Sequence, residues 1–248
     1  GMKRKVSYCV KARVTTALAV VCAVGCAVSV SKASAADVDT STPPYKSNKN
    51  TAKRMISPLA HVDPNAKIGE GVTIHPFAYI DEDVVIGDGC TIMPYASIIR
   101  GTRMGKNNKV YQGAIIGADP QDFRWKGQKT YCYIGDNNII REQVIINRGI
   151  AEEGGTRIGN GCFIMAETHI GHDSNILGPC VLGNGVKVAG NVTIDTCAIL
   201  SSCAIVHENS NIGKWVFIKG GCRVSGNVPP YIILAHNPAV YYGVNAKV

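Results

Sequence analysis

From Ile56 onward every sixth residue is aliphatic: Val62, Ile68, Ile74, Ile80, Ile86 and Ile92 open a column that runs to Val224. Of its 29 positions, 26 hold Ile, Leu, Val or Met, and the exceptions are Asp122, Gln128 and Glu152. A period of six matches neither the 3.6 of an α-helix nor the 2 of a flat strand. It matches a chain that coils with three short strands per turn and sends one aliphatic side chain inward from each strand. The fourth residue after each aliphatic is usually small or β-branched, as at Ala60, Ala66, Val72, Ala78, Cys90, Cys162, Ser174 and Ala204, which suits tight corners. Gly, Asp and Asn crowd the positions between, where positive φ costs little. Three hexads make one coil, so the column predicts an all-β parallel β-helix of about ten coils, about 4.8 Å apart and roughly 45–50 Å long in all.

Two segments interrupt the column. Ala118 to Thr130 and Ala151 to Thr156 carry no aliphatic stripe and are expected to leave the prism as two protruding loops. The mixture of Asp122, Arg124, Trp125 and Lys126 in the first favours a loop that reaches over a ligand or a neighbouring subunit over a tolerated surface insertion.

The net charge of +8 changes meaning once the chain is divided. Residues 1–54 carry ten Lys or Arg against two Asp, and residues 55–248 carry sixteen basic and sixteen acidic residues. The basic balance therefore belongs to the leader and gives no case for nucleic-acid binding by the repeats. The leader has a basic Lys3-Arg4-Lys5, an apolar stretch from Val14 to Val30 and a signal-like Ala33-Ser34-Ala35. It reads as a secretion signal, with Gly25-Cys26 as a weak lipoprotein site, or as an organellar transit peptide, or as sequence upstream of a true start at Met55. The apolar run is short for a membrane span. Residues 36–54 read as a disordered linker, so the expected division is 1–54 leader and linker, 55–248 β-helix.

Seven of the ten cysteines lie in the repeats; Cys90, Cys162, Cys180 and Cys222 occupy small corner positions, and none forms a CxxC pair. They read as packing residues, and no metal site is expected. Structural thiols suit a reducing compartment, which favours the cytoplasm over export.

Histidines carry the chemistry. His169 and His172 lie one before and two after inward Ile170, and His207 lies one after inward Val206, so none takes the inward slot. Residue 190 lies one coil above His172, and it is glycine. A neutral imidazole beside an unhindered backbone N–H provides what acyl transfer needs: a base for a hydroxyl and a donor for the developing oxyanion. Asp173 is placed to orient the imidazole.

Six blocks together resemble one family: Ile-Gly-Ala-Asp-Pro-Gln-Asp-Phe-Arg from Ile116 to Arg124, the segment Ile140 to Gly149, His169-Ile-Gly-His-Asp, Ala189-Gly190, Val228-Pro-Pro-Tyr, and Gly243-Val-Asn. Over Ile56 to Asn245 the chain is similar to the UDP-N-acetylglucosamine O-acyltransferases that begin lipid A synthesis. The resemblance implies a left-handed coil, against the usual right-handed rule for parallel crossovers, and a homotrimer. It implies transfer of a 3-hydroxyacyl group from acyl-carrier protein to the 3-hydroxyl of UDP-N-acetylglucosamine, without metal or dissociable cofactor. His172 takes the place of the general base, Asp173 of its partner and Gly190 of the oxyanion donor. His169, His207, Gln121, Asp122 and Asn245 match sugar-nucleotide or active-site contacts, Arg124 matches a family lysine, and Gly220 matches the position that limits acyl length.

The chain departs from the family at three places. Asn191 stands where the family usually has histidine, and Glu208 where it has glutamine, which brings a negative charge toward an anionic substrate. The sequence also ends at Val248, where relatives continue into a basic turn and a helical domain that helps bind the carrier protein. Two alternatives follow. One is another hexapeptide acyltransferase, on a different nucleotide sugar or acyl donor; the other is a catalytically silent, exported β-helix binding protein, and the signal-like leader over residues 1–35 leaves an exported or organellar location as the alternative to the cytoplasm.

Overall fold

The structure, a computed structural model, describes residues 54–246. The leader and linker expected over residues 1–54 lie outside them apart from Arg54. Two-residue strands recur every six residues, and each ends on the inward aliphatic, from Met55–Ile56 through His169–Ile170 to Arg223–Val224. The strands build three parallel sheets, and successive strands pass from one sheet to the next. The first sheet begins with Met55–Ile56, the second with His61–Val62 and the third with Lys67–Ile68. In the first, strands are stacked in parallel from Met55–Ile56 to Ile232–Ala235, and Val240–Val244 then turns back antiparallel at the end. This is the coiled prism expected from the column.

The inward column is the core. Ile74, Ile80, Ile92, Ile116, Ile146, Ile170 and Ile194 are all fully buried, one above the other within their sheets. Each such side chain contributes about 1.5–3 kcal/mol relative to exposure. The small fourth residues are buried with them, including Cys90, Cys162, Cys180 and Cys222. These cysteines pack as thiols, and burial pushes Cys162 up to about 11 and Cys180 up to about 12.

The third residue after each inward aliphatic usually holds the corner in the left-handed region, at φ 57° for Asp173, 55° for Asn191 and even 58° for Trp215. Asp and Asn tolerate this conformation, whereas a bulky residue there must be held by the coil around it.

Pairing register explains why the loops do not disturb the period. Ser97 pairs with Ile115, Ile115 with Ile145 and Ile145 with His169, so the offset grows from 18 residues to 30, then falls to 24. The first loop thus inserts two hexads and the second inserts one, and the column regains its phase after each. Asp122, Gln128 and Glu152 occupy the in-phase positions inside these insertions. Among the described residues no helix is long and apolar enough to cross a membrane.

Candidate active site

Both loops leave the prism at the edge between the second and third sheets, in consecutive coils. Along that edge the second residue after each inward aliphatic forms a column. Glu82 and Arg100 precede the loops, Arg148 lies between them, and His172, Gly190 and Glu208 follow. Coil stacking alone therefore sets His172 beneath Gly190 and Gly190 beneath Glu208.

His172 is 8% exposed although it points away from the aliphatic core. Its burial comes from the first loop and from Gly190. A β-carbon on Gly190 would stand 2.4 Å from both Cε1 and Nε2 of the imidazole, so the ring lies directly against bare backbone. Gly171 meets the same constraint, since a β-carbon there would stand 2.8 Å from the Gly190 nitrogen. The Asn191 N–H donates to the His172 carbonyl at 2.8 Å and holds the two corners in register. Among the described residues the Gly190 N–H has no acceptor.

Asp173 fixes the ring. Its Oδ2 accepts from His172 Nδ1 at 2.9 Å, and the Ile150 N–H of the second loop donates to both carboxylate oxygens at 3.1 and 3.3 Å. A carboxylate accepts only, so the proton sits on Nδ1 and the Nε2 lone pair faces outward. Asp122 Oδ2 of the first loop stands 3.4 Å from Nε2. Arg124 grips Asp122 through Nε at 2.9 Å and Nη2 at 2.7 Å, and this pairing holds the Asp122 carboxyl well below the usual carboxylate range. Arg124 Nη2 also reaches Glu208 Oε1 at 3.1 Å, which ties the loop to the coil two turns above His172.

His169 lies on the outer face of the second sheet, half-buried, and its Nε2 sits 2.7 Å from Asn147 Oδ1. The Asn147 amide donates to the Asp119 carbonyl at 2.6 Å, so Oδ1 must accept and His169 donates. Burial, with Lys187 and His172 nearby, lowers the His169 pKa.

The other expected residues divide. Gln121 is exposed on the loop beside Asp122, and His207 is exposed next to Glu208. Asn191 donates its side-chain amide to Asn209 Oδ1 at 2.6 Å in the next coil. Gly220 and Asn245 do not join this group. Gly220 follows the first-sheet strand Phe217–Ile218 and lies at the edge between the first and second sheets. Asn245 donates to the Trp215 carbonyl at 2.8 Å, at the edge between the third and first sheets. The candidate residues thus occupy all three edges of one prism.

Arg148 received no role from the sequence, and it anchors the first loop. Only 6% exposed, it pairs through Nη2 with Asp119 at 2.5 Å and donates through Nη1 to the Gly117 carbonyl at 3.2 Å. Trp125 covers it, with the guanidinium carbon 5.1 Å from the ring centroid. The signal was the column itself, in which Arg148 holds the position that His172 holds one coil later. Replacing Arg148 by methionine removes both the ion pair and the carbonyl contact. Trypsin should then nick the loop at Arg124, Lys126 or Lys129 several-fold faster, and the melting temperature should fall by only a few degrees, for a loss of about 1–3 kcal/mol. An unchanged cleavage rate would count against the anchor.

The similar proteins of known name point mainly to one family. A family model described as the GMPPB C-terminal domain matches residues 56–153. An acyl-(acyl-carrier-protein) UDP-N-acetylglucosamine O-acyltransferase from Stutzerimonas stutzeri is 41% identical over 77% of this chain and 74% of its own length. The crystal structure of a UDP-N-acetylglucosamine acyltransferase from Bacteroides fragilis superposes with a TM-score of 0.76 at 48% identity, over 78% of this chain and 76% of that one. The Arabidopsis UDP-N-acetylglucosamine acyltransferase superposes with a TM-score of 0.69 at 31% identity, over 78% and 75%. The shared architecture is the left-handed parallel β-helix. With this identity over most of both chains, the protein belongs to the acyl-(acyl-carrier-protein) UDP-N-acetylglucosamine O-acyltransferase family.

Proposed function

We propose that the chain moves a 3-hydroxyacyl group from acyl-carrier protein to the 3-hydroxyl of UDP-N-acetylglucosamine, the first step of lipid A biosynthesis. The observation that carries this reading is the His172 imidazole, held at Nδ1 by Asp173 and set against the Gly190 backbone, whose N–H has no acceptor among the described residues.

In this reading Nε2 takes the proton of the sugar hydroxyl as that oxygen attacks the thioester carbonyl. The new C–O bond pushes the carbonyl electrons onto oxygen, and the Gly190 N–H donates to that oxyanion. When the carbonyl re-forms, the C–S bond breaks and the carrier thiolate leaves with the proton from His172. Asp173 and Asp122, on either side of the ring, stabilise the imidazolium between these two transfers. Gln121, Asp122, Arg124, His169, Asn191, His207, Glu208 and Asn245 would contact the nucleotide sugar. Gly220 would leave the acyl groove open to a long chain. Carrier-protein thioesters are cytoplasmic donors, so this reading puts the working protein in the cytoplasm.

The reading also calls for a homotrimer. One prism cannot bring its three edges to a common point, whereas three prisms side by side face unlike edges toward one another. Phe123, between Asp122 and Arg124, is 97% exposed in the single chain and would be covered by a neighbour. Equilibrium sedimentation at micromolar concentration should return a trimer, and a monomer would count strongly against the arrangement. The activity itself is tested by incubating the full chain with UDP-N-acetylglucosamine and a panel of hydroxyacyl-carrier proteins, with mass spectrometry of the nucleotide sugar. Mass gain by one hydroxyacyl group supports it; an unmodified nucleotide sugar with every donor overturns it.

A further inference from the structure

Arg124 pairs with two carboxylates. Asp122 holds it from within the loop, and Glu208 holds it from across the edge, 84 residues away in sequence. These carboxylates mark the two ends of one gap. Asp122 touches His172 Nε2, Glu208 stands two coils further along the same column, and between them lies Gly190, which has no side chain to fill the space. A guanidinium that joins Asp122 to Glu208 must therefore span the gap above Gly190, where the reading above places the reacting carbonyl.

We propose that Glu208 is a specificity-determining residue: it holds Arg124 across the Gly190 gap, and a diphosphate-bearing substrate must take the guanidinium from it. This rests on the nucleotide-sugar reading, and it adds a competitor that the reading does not need. The exposures fit an exchangeable contact. Arg124 is 61% exposed along its side chain and Glu208 38%, so the pair is weakened by solvent and salt. Glu208 also makes a single contact to one nitrogen, whereas Asp122 accepts from both Nε and Nη2. An incoming diphosphate offers several oxygens to a fork that suits bidentate anions and can displace the single contact while Asp122 keeps its own. The negative charge is presented to Arg124, where it sets how strongly an anion must bind to open the gap.

The test is calorimetric titration of the full chain with UDP, which carries the diphosphate and needs no acyl donor. In Glu208→Gln the competitor is gone, and UDP affinity should rise by roughly two- to fivefold, the range of an exposed ion pair. Arg124→Met should weaken UDP binding, and Glu208→Gln should then add nothing, because both changes act on one contact. Matching melting temperatures would establish that the variants are folded. UDP binding that is unchanged or weakened in Glu208→Gln overturns the competition and leaves the nucleotide-sugar reading standing, as do additive effects in the double variant. If the wild-type chain and all variants bind no UDP, the competition and the reading both fall.

Discussion

Replacing His172 by alanine lowers turnover by at least about a hundredfold and leaves the affinity for UDP-N-acetylglucosamine within a few-fold of wild type. The reasoning follows from where the imidazole is held. Asp173 occupies Nδ1 at 2.9 Å, which leaves Nε2 as the ring nitrogen free to act as the proposed base. A positioned base contributes roughly 10²–10⁴-fold, and it contributes in the transition state, where the hydroxyl proton is in flight. Its loss should therefore appear in kcat and in kcat/KM together. In the proposed reading the sugar nucleotide is held elsewhere, by loop residues such as Arg124 and by outward residues of the second sheet such as His169, so binding should be largely retained. Structural collapse would not imitate this result. The ring lies outside the aliphatic core, and its removal leaves Ile170 stacked on Val188 as before. Steady-state kinetics with a saturating hydroxyacyl-carrier protein, together with calorimetry of nucleotide binding, separates the two quantities. A near-normal kcat would remove His172 from the chemistry.

How the site could be read in advance depends on which residues local register controls. The six-residue column fixed the prism, its corners and the stacking of Gly190 on His172, because parallel coils place residues 18 apart side by side wherever no insertion intervenes. The same rule places Glu208 two coils above His172, although only the family resemblance singled Glu208 out in the sequence. What register does not control is where the loops fold back. Arg124 meets Glu208 across 84 residues, and Arg148 meets Asp119 and Trp125, through contacts that depend on the path of an insertion with no period of its own. The burial of His172 escaped for the same reason. Its position outside the inward slot argued for exposure, and the first loop together with bare glycine backbone covers it. The hand of the coil is also invisible to a periodic pattern, since either hand places one aliphatic per strand inside; it came from likeness to relatives.

Gly190→Ala should be nearly as damaging as the loss of the histidine, at least about a hundredfold in kcat, although it adds one methyl group and removes nothing. The added carbon would lie 2.4 Å from Nε2 and Cε1 of His172, closer than real contacts allow, so the ring must move. It has little freedom to do so. Nδ1 is tied to Asp173, and that carboxylate is tied to the Ile150 N–H of the second loop. A displacement of about 1 Å in a reacting group costs on the order of a hundredfold, and here it shifts the base and crowds the oxyanion donor together. The backbone at Gly190 is not in the left-handed region, so alanine brings no backbone penalty of its own, and the cost of displacing the ring, about 1–3 kcal/mol, should lower the melting temperature by only a few degrees. Gly226→Ala supplies the comparison, since a β-carbon there meets nothing within 4 Å and should leave turnover unaltered. Because both substitutions disable one base, His172→Ala combined with Gly190→Ala should lose little more than His172→Ala alone. Normal turnover in Gly190→Ala would mean that the working imidazole does not rest on this glycine, and the oxyanion donor would have to be sought elsewhere on the edge.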